Sequence, residues 1–182
     1  MKRLFSPERL DVRAFAEDGA QLAGHPPLAG FHRLVAEAQG EAGERQVEWS
    51  ARGELLNPQH VHPQVWLHLQ ARAALPMTCQ RCLEPVEIAL DVKRSFRFVA
   101  DEATAAAEDD QSEEDLLAIS HSFDLLELVE DELLMELPVV PRHAVCPIPV
   151  RMSDADEEEG DDEGETQRPF AGLEGLLKGR KH

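Results

Sequence analysis

The chain has 182 residues and a formal net charge of −18 at pH 7, so it is long enough for one sizeable hydrophobic core. It has no apolar run of membrane-spanning length and no N-terminal signal peptide, and its three cysteines are typical of a reducing cytoplasm. Acidic and basic side chains balance in residues 1–100, and the whole negative excess lies in residues 101–182. This distribution excludes RNA binding through bulk charge, because phosphate contacts need Lys and Arg.

The N-terminal part predicts two short helices around a strand. Asp11 is expected to cap the first helix, and Gly19 to end it. Residues 20–24 are predicted to form a short strand. After two prolines, the apolar spacing of residues 28–38 predicts a second helix.

The middle of the chain changes to an apolar period of two, which is typical of strands. Three alternating runs begin near Val47, Val65 and Val86, and turns separate them. Consecutive strands joined by turns predict an antiparallel meander. Trp49 and Trp66 are predicted to lie in its core, because no basic residues are interleaved with them as in a base-stacking surface.

The best basic–aromatic mixture in the chain lies in the third run, where Phe96 and Phe98 alternate with charged residues. Its cations are Lys93, Arg94 and Arg97. They are candidates for RNA contact, although a solvated strand face explains the same pattern.

The C-terminal half predicts one acidic loop, one short strand and the strongest helix. Residues 101–115 are rich in alanine and acid without apolar periodicity, which favours an exposed, mobile loop. Residues 116–119 are predicted to form a strand. Ser122 or Asp124 is expected to cap the long helix. Its apolar stripe consists of Leu125, Leu126, Val129, Leu133 and Leu137.

Two groups on this helix lie outside the stripe. Leu128 and Met135 are interpreted as a second buried side or as a docking strip for a partner, with burial favoured. The acidic residues are interpreted as a solvated face, because on one helix they spread around the circumference and do not converge on a catalytic pocket. They are Glu127, Glu130, Asp131, Glu132 and Glu136.

The C-terminal region predicts two further segments. Residues 151–168 are expected to form a disordered linker, since residues 154–165 contain nine acids and no base. Residues 169–182 form a short apolar segment with a basic end, in which Phe170, Leu173 and Leu177 are candidates for binding a partner.

The cysteines indicate a metal site. Cys79 and Cys82 form a Cys-x-x-Cys pair, and His143 and Cys146 form a His-x-x-Cys pair further along the chain. Three thiolates and one imidazole are a complete ligand set for structural zinc. The alternative is that the two pairs do not meet and are inert thiols. A redox site is disfavoured, because the first pair leads into a strand and not into a helix N-terminus.

Several distinctive motifs occur in a fixed order along the chain. They are Cys79–Leu83, Asp124–Leu134, Leu137–Pro141, His143 with Cys146, Pro169–Phe170, Leu173 and Leu176–Lys178. In this order they resemble the bacterial large ribosomal RNA subunit accumulation protein family (YceD-like), and the resemblance extends from about residue 5 to the end. It implies a cytoplasmic protein needed for normal levels of 23S ribosomal RNA through its synthesis, processing or stability. It implies no catalytic residues.

The sequence therefore predicts a single α+β domain over residues 1–150, an antiparallel meander packed with a few helices, in which the Cys₃His set is a candidate zinc staple. The leading function is a ribosome biogenesis factor acting on large-subunit RNA or its precursor. The alternative is an acidic adaptor that binds a basic ribosomal or assembly protein without touching RNA. No enzyme and no small-molecule substrate is predicted, since phosphate-binding glycine loops and nucleophile arrangements are missing from the sequence.

Overall fold

A computed structural model describes residues 3–147 of the chain. It contains a five-stranded sheet, four α-helices and three short 3-10 turns, so the predicted α+β class is confirmed. The strands are β1 (Gln21–Gly24), β2 (Glu48–Leu56), β3 (Gln64–Thr78), β4 (Pro85–Val99) and β5 (Asp115–Ala118). The α-helices are α1 (Val12–Glu17), α2 (His32–Glu37), α3 (Glu102–Glu108) and α4 (Leu125–Met135). The 3-10 turns are Pro7–Arg9, Leu28–Gly30 and Asp109–Gln111.

The strands lie in the sheet in chain order, β1-β2-β3-β4-β5. The first four are antiparallel neighbours, which confirms the predicted meander. The long β3 and β4 pair from Val65 opposite Phe98 to Thr78 opposite Pro85. The short β5 adds to the far edge of β4 in the parallel direction, so the complete sheet is mixed.

One face of the sheet carries the hydrophobic core. Alternate residues of β3 point towards it, because successive side chains of a strand lie on opposite faces. Val65, Leu67, Leu69, Ala71 and Leu75 are all buried on this face. Helices α1 and α4 pack over it and bury their own apolar residues there. The opposite face is lined by the mostly polar residues that alternate with the buried ones in the same strands.

Helix α1 approaches the sheet unusually closely at β2. A side chain at Gly53 would place its Cβ 2.7 to 2.8 Å from atoms of Phe15, among them the Phe15 backbone carbonyl. The absence of a side chain at Gly53 therefore allows α1 to lie directly on the sheet. Asp11 caps α1 as predicted, accepting a hydrogen bond from the backbone N–H of Ala14 at 3.0 Å.

The predicted helix over residues 28–38 is divided in two. Leu28–Gly30 forms a 3-10 turn, and α2 begins only at His32. The N-cap residue of α2, Phe31, provides no side-chain acceptor. Glu130 of α4 provides it instead, because its Oε1 accepts hydrogen bonds from the backbone N–H groups of Arg33 and Leu34 at 2.8 and 3.1 Å. One helix thus caps another through a long-range contact.

The predicted mobile loop over residues 101–115 was wrong. The segment forms α3 and a 3-10 turn before entering β5. Asp101 caps α3 by accepting a hydrogen bond from the N–H of Thr104 at 2.8 Å. The sequence showed no apolar helical period here because Ala105 is the only buried residue of this helix.

Two side chains differ in burial from their predictions. Trp49 lies in the core as expected, but Trp66 is half-buried on the opposite face of the sheet. Glu132 was assigned to a solvated face and is only 4% exposed. Its Oε2 lies 3.5 Å from Nε of Arg94. Burial raises the pKa of Glu132, the Arg94 charge opposes this, and the nearby carboxylates of Asp115 and Asp131 add to the rise.

Helix α4 forms where the sequence predicted it. Asp124 is the cap, and its carboxylate accepts hydrogen bonds from the N–H groups of Leu126 and Glu127. Leu128 is half-buried and packs against the core, whereas Met135 is 67% exposed. Within residues 3–147 no helix is long and apolar enough to cross a membrane.

The predicted linker and C-terminal motif, residues 151–168 and 169–182, lie outside the described residues. The candidate partner-binding side chains Phe170, Leu173 and Leu177 belong to this part of the chain.

Candidate metal centre

The four predicted ligands meet at one end of the sheet. Cys79 and Cys82 lie in the loop that joins β3 to β4. His143 and Cys146 lie in the segment that follows α4, and this segment reaches the same loop. One ligand atom from each residue lies within 4.8 Å of all the others, so the donor set can hold a metal ion.

The separations within the cluster fit a tetrahedral zinc ion. Sγ of Cys79 lies 3.8 Å from Sγ of Cys146, and Sγ of Cys82 lies 3.4 Å from Nδ1 of His143. Zinc with bonds of about 2.3 Å to sulfur and 2.0 Å to nitrogen requires edges of about 3.8 and 3.5 Å in a tetrahedron. These two separations therefore match the edges of a zinc site, and the other ligand atoms lie within 4.8 Å of one another.

The turn that carries the first pair is closed by its own backbone. The N–H of Leu83 donates to the carbonyl of Cys79, and the N–H of Cys79 donates to the carbonyl of Glu84, both at 2.9 Å. Leu83 has a φ of 62°, a left-handed conformation that costs free energy for a residue with a Cβ. This compact turn directs both cysteines to the same side.

Contacts outside the ligand set attach the second pair to the first. The N–H of Gln80 donates to the carbonyl of Pro141 at 2.8 Å. Nε2 of His143 donates to the carbonyl of Pro85 at 2.9 Å. Because a carbonyl can only accept, the ring proton is on Nε2, and Nδ1 keeps its lone pair for the cluster.

Electrostatics favour the thiolate form of at least one ligand. Burial of Cys79 opposes its ionisation, but hydrogen bonds from the backbone near His143, Cys82 and Arg81 outweigh it and lower the pKa of Cys79 to about 5. Burial and the two neighbouring thiol groups raise the pKa of Cys82. A metal binds thiolates and not thiols, so the lowered pKa of Cys79 favours metal binding at this site.

Arg81 is a component of the site that sequence reasoning missed. Its Nε donates to Sγ of Cys146 at 2.9 Å, and this contact raises the pKa of the Arg81 guanidinium. Three thiolates and Zn²⁺ leave a net charge of −1, which the guanidinium offsets. The Cys-x-x-Cys motif gave no signal for this role, because it depends on Cys146 reaching the turn.

The arrangement can act as a structural crosslink. When bound, zinc would join the β3–β4 turn to the segment after α4 through four protein ligands, with no position left for a substrate. Cys79 is fully buried, and the other three ligands are half-buried. Closed coordination of this kind stabilises a fold, and it gives no site for chemistry on a substrate.

The candidate RNA-binding cations do not share one surface. Lys93 and Arg97 extend from the open face of β4. Arg94 has the opposite phase, lies opposite the buried Leu69, and reaches Glu132 beside α4. Arg97 is paired with Glu108 of α3 at 3.0 Å.

The fold and the site together define a class of protein, an α+β domain with a one-sided sheet stapled at one end by a Cys₃His cluster. A family model described as large ribosomal RNA subunit accumulation protein YceD matches residues 67–177, more than half of the chain. The chain belongs to this family. The match is shorter than the predicted resemblance and contains all four cluster residues. Searches of the curated proteins and of the solved structures found no match.

Proposed function

We propose that this protein is a non-catalytic, zinc-stapled factor that supports the accumulation of large-subunit ribosomal RNA in the cytoplasm. The observation that carries the proposal is the family match, whose description names this process and whose range includes both halves of the metal cluster. A closed Cys₃His site stabilises a surface for binding and offers no open metal position for a reaction. The role therefore fits assembly, processing or protection of the RNA by binding.

The test is a cellular measurement. Cells that lack this protein are complemented with the wild-type chain or with Cys79→Ser, and the ratio of large-subunit to small-subunit ribosomal RNA is measured together with unprocessed precursors. We expect the ratio to fall in the absence of the protein and to recover with the wild type. An unchanged ratio in cells without the protein would contradict the proposal.

A second function, the acidic adaptor, is favoured by the charge of the second half of the domain. Between Asp101 and Glu136 the chain carries many acidic side chains and no Lys or Arg. Such a surface attracts basic ribosomal proteins by long-range electrostatics. Crosslinking in cells separates the two functions, since an adaptor yields basic proteins without RNA crosslinks and a direct factor yields large-subunit RNA.

A further inference from the structure

The sheet face opposite the core presents a surface that the metal centre does not use, called here the open face. It consists of the outward side chains of the three central strands, and all of them are exposed or half-buried. From β2 they are Glu48, Ser50, Arg52 and Glu54; from β3, Trp66, His68, Gln70 and Arg72; from β4, Asp91, Lys93, Ser95 and Arg97.

The open face is uncovered within the described part of the chain. Helices α1 and α4 pack on the buried side of the sheet, as their contacts with the core residues show. Helix α3 reaches the open face only at its β5 border, where Glu108 pairs with Arg97. A platform of central strands is thus accessible over several residues of β3.

Two aromatic rings stack on each other on β3, at the end of the open face that lies next to α3. The rings of Trp66 and His68 are nearly parallel, with an angle of 12° between their planes and 6.3 Å between their centroids. Nε1 of Trp66 donates to Oε1 of Gln64. The ring nitrogens of His68 contact Ser95 at 2.9 Å and Glu54 at 2.8 Å. These contacts hold both rings in place before any ligand arrives.

The open face is close to electrically neutral on a strongly acidic protein. Its twelve side chains include four Lys or Arg and three carboxylates, and Glu87, which continues the outward row of β4, adds a fourth carboxylate, whereas the whole chain has a net charge of −18. Within residues 3–147, Lys93 forms no ion pair. Arg72 is paired with Asp91 at 3.2 Å, but both side chains are about two-thirds exposed. Exposed pairs contribute little, so such a guanidinium can exchange its carboxylate for a phosphate.

The two ends of the open face differ in charge, because the end next to α3 is acidic. A groove of about 700 Å³ is lined by Trp66 and Arg97 together with the carboxylates of Glu108, Glu113 and Glu114. These carboxylates repel phosphate. A nucleic-acid backbone is therefore favoured over Lys93 and Arg72, at the far end of the row, with bases over the Trp66 end.

From these observations we infer that the open face binds an unpaired segment of RNA, with bases stacked on Trp66 and His68 and phosphates beside Lys93 and Arg72. Stacking requires bases that are not paired in a duplex, and two or three bases are typical for a sheet platform of this kind. The four outward positions of β3 span about 20 Å, which accommodates that number. This inference rests on the proposed function, since it names the direct contact through which the protein would act on ribosomal RNA.

The direct test uses the intrinsic fluorescence of the full-length protein. The chain has two tryptophans, and Trp49 is only 6% exposed, so a stacked base quenches Trp66 alone. The probe is a single-stranded RNA of about 12 nucleotides, within the range of site sizes for such platforms, with the same strand annealed to its complement as a control. We expect quenching by the single strand, less by the duplex, and none in Trp66→Phe.

Affinity measurements with matched charge variants test the phosphate side. Lys93→Glu should weaken binding by about 10-fold. The slope of log Kd against log salt concentration should also fall, by an amount that corresponds to about one released counterion or more. Arg9→Glu changes the net charge equally at an exposed residue outside the open face, and should change affinity by less than about 2-fold, because salt screens distant charges. Metal content and circular dichroism of each variant should match those of the wild type.

Several results would overturn the inference. These are an equal effect of Lys93→Glu and Arg9→Glu, duplex binding as tight as single-strand binding, or no quenching of Trp66 by RNA. An arginine-rich peptide that binds in place of RNA, with loss in Trp66→Ala, would assign the face to a protein partner. A shift to dimers that depends on Trp66 would assign it to a second copy of the chain.

The ribosomal RNA ratio in cells separates this inference from the proposed function. If cells without the protein lose large-subunit RNA while the purified chain does not bind the RNA probe, the proposed function is supported and the inference of an RNA-binding face is wrong. If the face binds RNA as described while those cells keep a normal ratio, the face stands and the proposed function is wrong.

Discussion

Nδ1 of His143 lies 3.4 Å from Sγ of Cys82, although 61 residues separate them in the chain. The intervening segment contains β4, α3, β5 and α4. A metal ion between these two atoms would therefore close most of the second half of the domain into one loop. Crosslinks that close long loops reduce the entropy of the unfolded chain, and metal binding to such a site is folding free energy.

The metal centre predicts coupled loss of zinc and stability. Purified under metal-retaining conditions, the wild type should contain one zinc per chain, and Cys79→Ser should contain little. We expect the melting temperature of this variant to fall by roughly 10 °C, because zinc at a large excess over its Kd adds several kcal/mol to the stability of a domain of this size. Elemental analysis and thermal melts with and without chelator measure both effects.

His60→Ala provides the matched control for a histidine outside the cluster. His60 is exposed in the loop between β2 and β3, so its removal should leave metal content and melting unchanged, whereas His143→Ala should behave like Cys79→Ser. If chelator leaves the melting curve of the wild type unchanged, the four side chains are not a structural zinc site.

Glu130 is predicted to stabilise α2 from a distance. Its carboxylate replaces the missing cap of that helix, and the side chain is only 12% exposed. Glu130→Ala should lower the free energy of unfolding by about 2 kcal/mol, the combined loss of a helix cap and of charge-assisted hydrogen bonds. Urea denaturation followed by circular dichroism measures the change.

Asp131→Ala is the control for this effect, because Asp131 also binds Arg33 but makes no contact with the backbone of α2. The two side chains of that pair are 49% and 46% exposed, so their separation should cost much less. Equal destabilisation by the two variants would show that the ion pair with Arg33, and not the cap, connects the helices.

The sequence determined the features that depend on local spacing. The meander follows from alternating runs, and the cap at Asp124 follows from a carboxylate before an apolar stripe. The metal ligands follow from two pairs with a two-residue gap each. For Trp66 the signal was also present, since it has the phase of His68 and Gln70 and not of Val65 and Leu67. The prediction of burial depended instead on the absence of basic residues from its own strand segment.

Other features depend on partners that are distant in the sequence. Arg94 has the phase of buried residues, but its side chain is 53% exposed and reaches Glu132 of α4, which is the buried member of the pair. Glu130 and the helix α2 that it caps are likewise distant in the sequence. The cation opposite Trp66, Arg97, comes from β4, across the sheet. No window along the chain contains these pairs, so spacing alone could not reveal them.

Gly53 is predicted to be intolerant of any side chain. Gly53→Ala places a methyl group 2.8 Å from the Phe15 backbone, closer than van der Waals contact allows, so α1 must move away from the sheet. Overpacking of this type costs about 1 to 3 kcal/mol, and a rigid backbone neighbour favours the upper part of the range. Gly30→Ala is the control, because no atom lies within 4 Å of its added Cβ. Equal stability of the two variants in urea would contradict the close approach of α1.

The burial of Glu132 should make the stability of the protein depend on pH. Its pKa is raised, mainly by burial, so the folded state holds the proton more tightly than the unfolded chain does. The stability contributed by the neutral carboxyl is therefore fully present below the unfolded pKa of about 4.3 and is lost as the pH rises through the folded pKa.

Glu132→Gln keeps a hydrogen-bonding group beside Arg94 without the charge. This variant should unfold at a higher urea concentration than the wild type at pH 7, and the two midpoints should converge as the pH approaches 4. A variant that is less stable than the wild type at pH 7 would instead show that the ion pair with Arg94 outweighs the desolvation of the carboxylate.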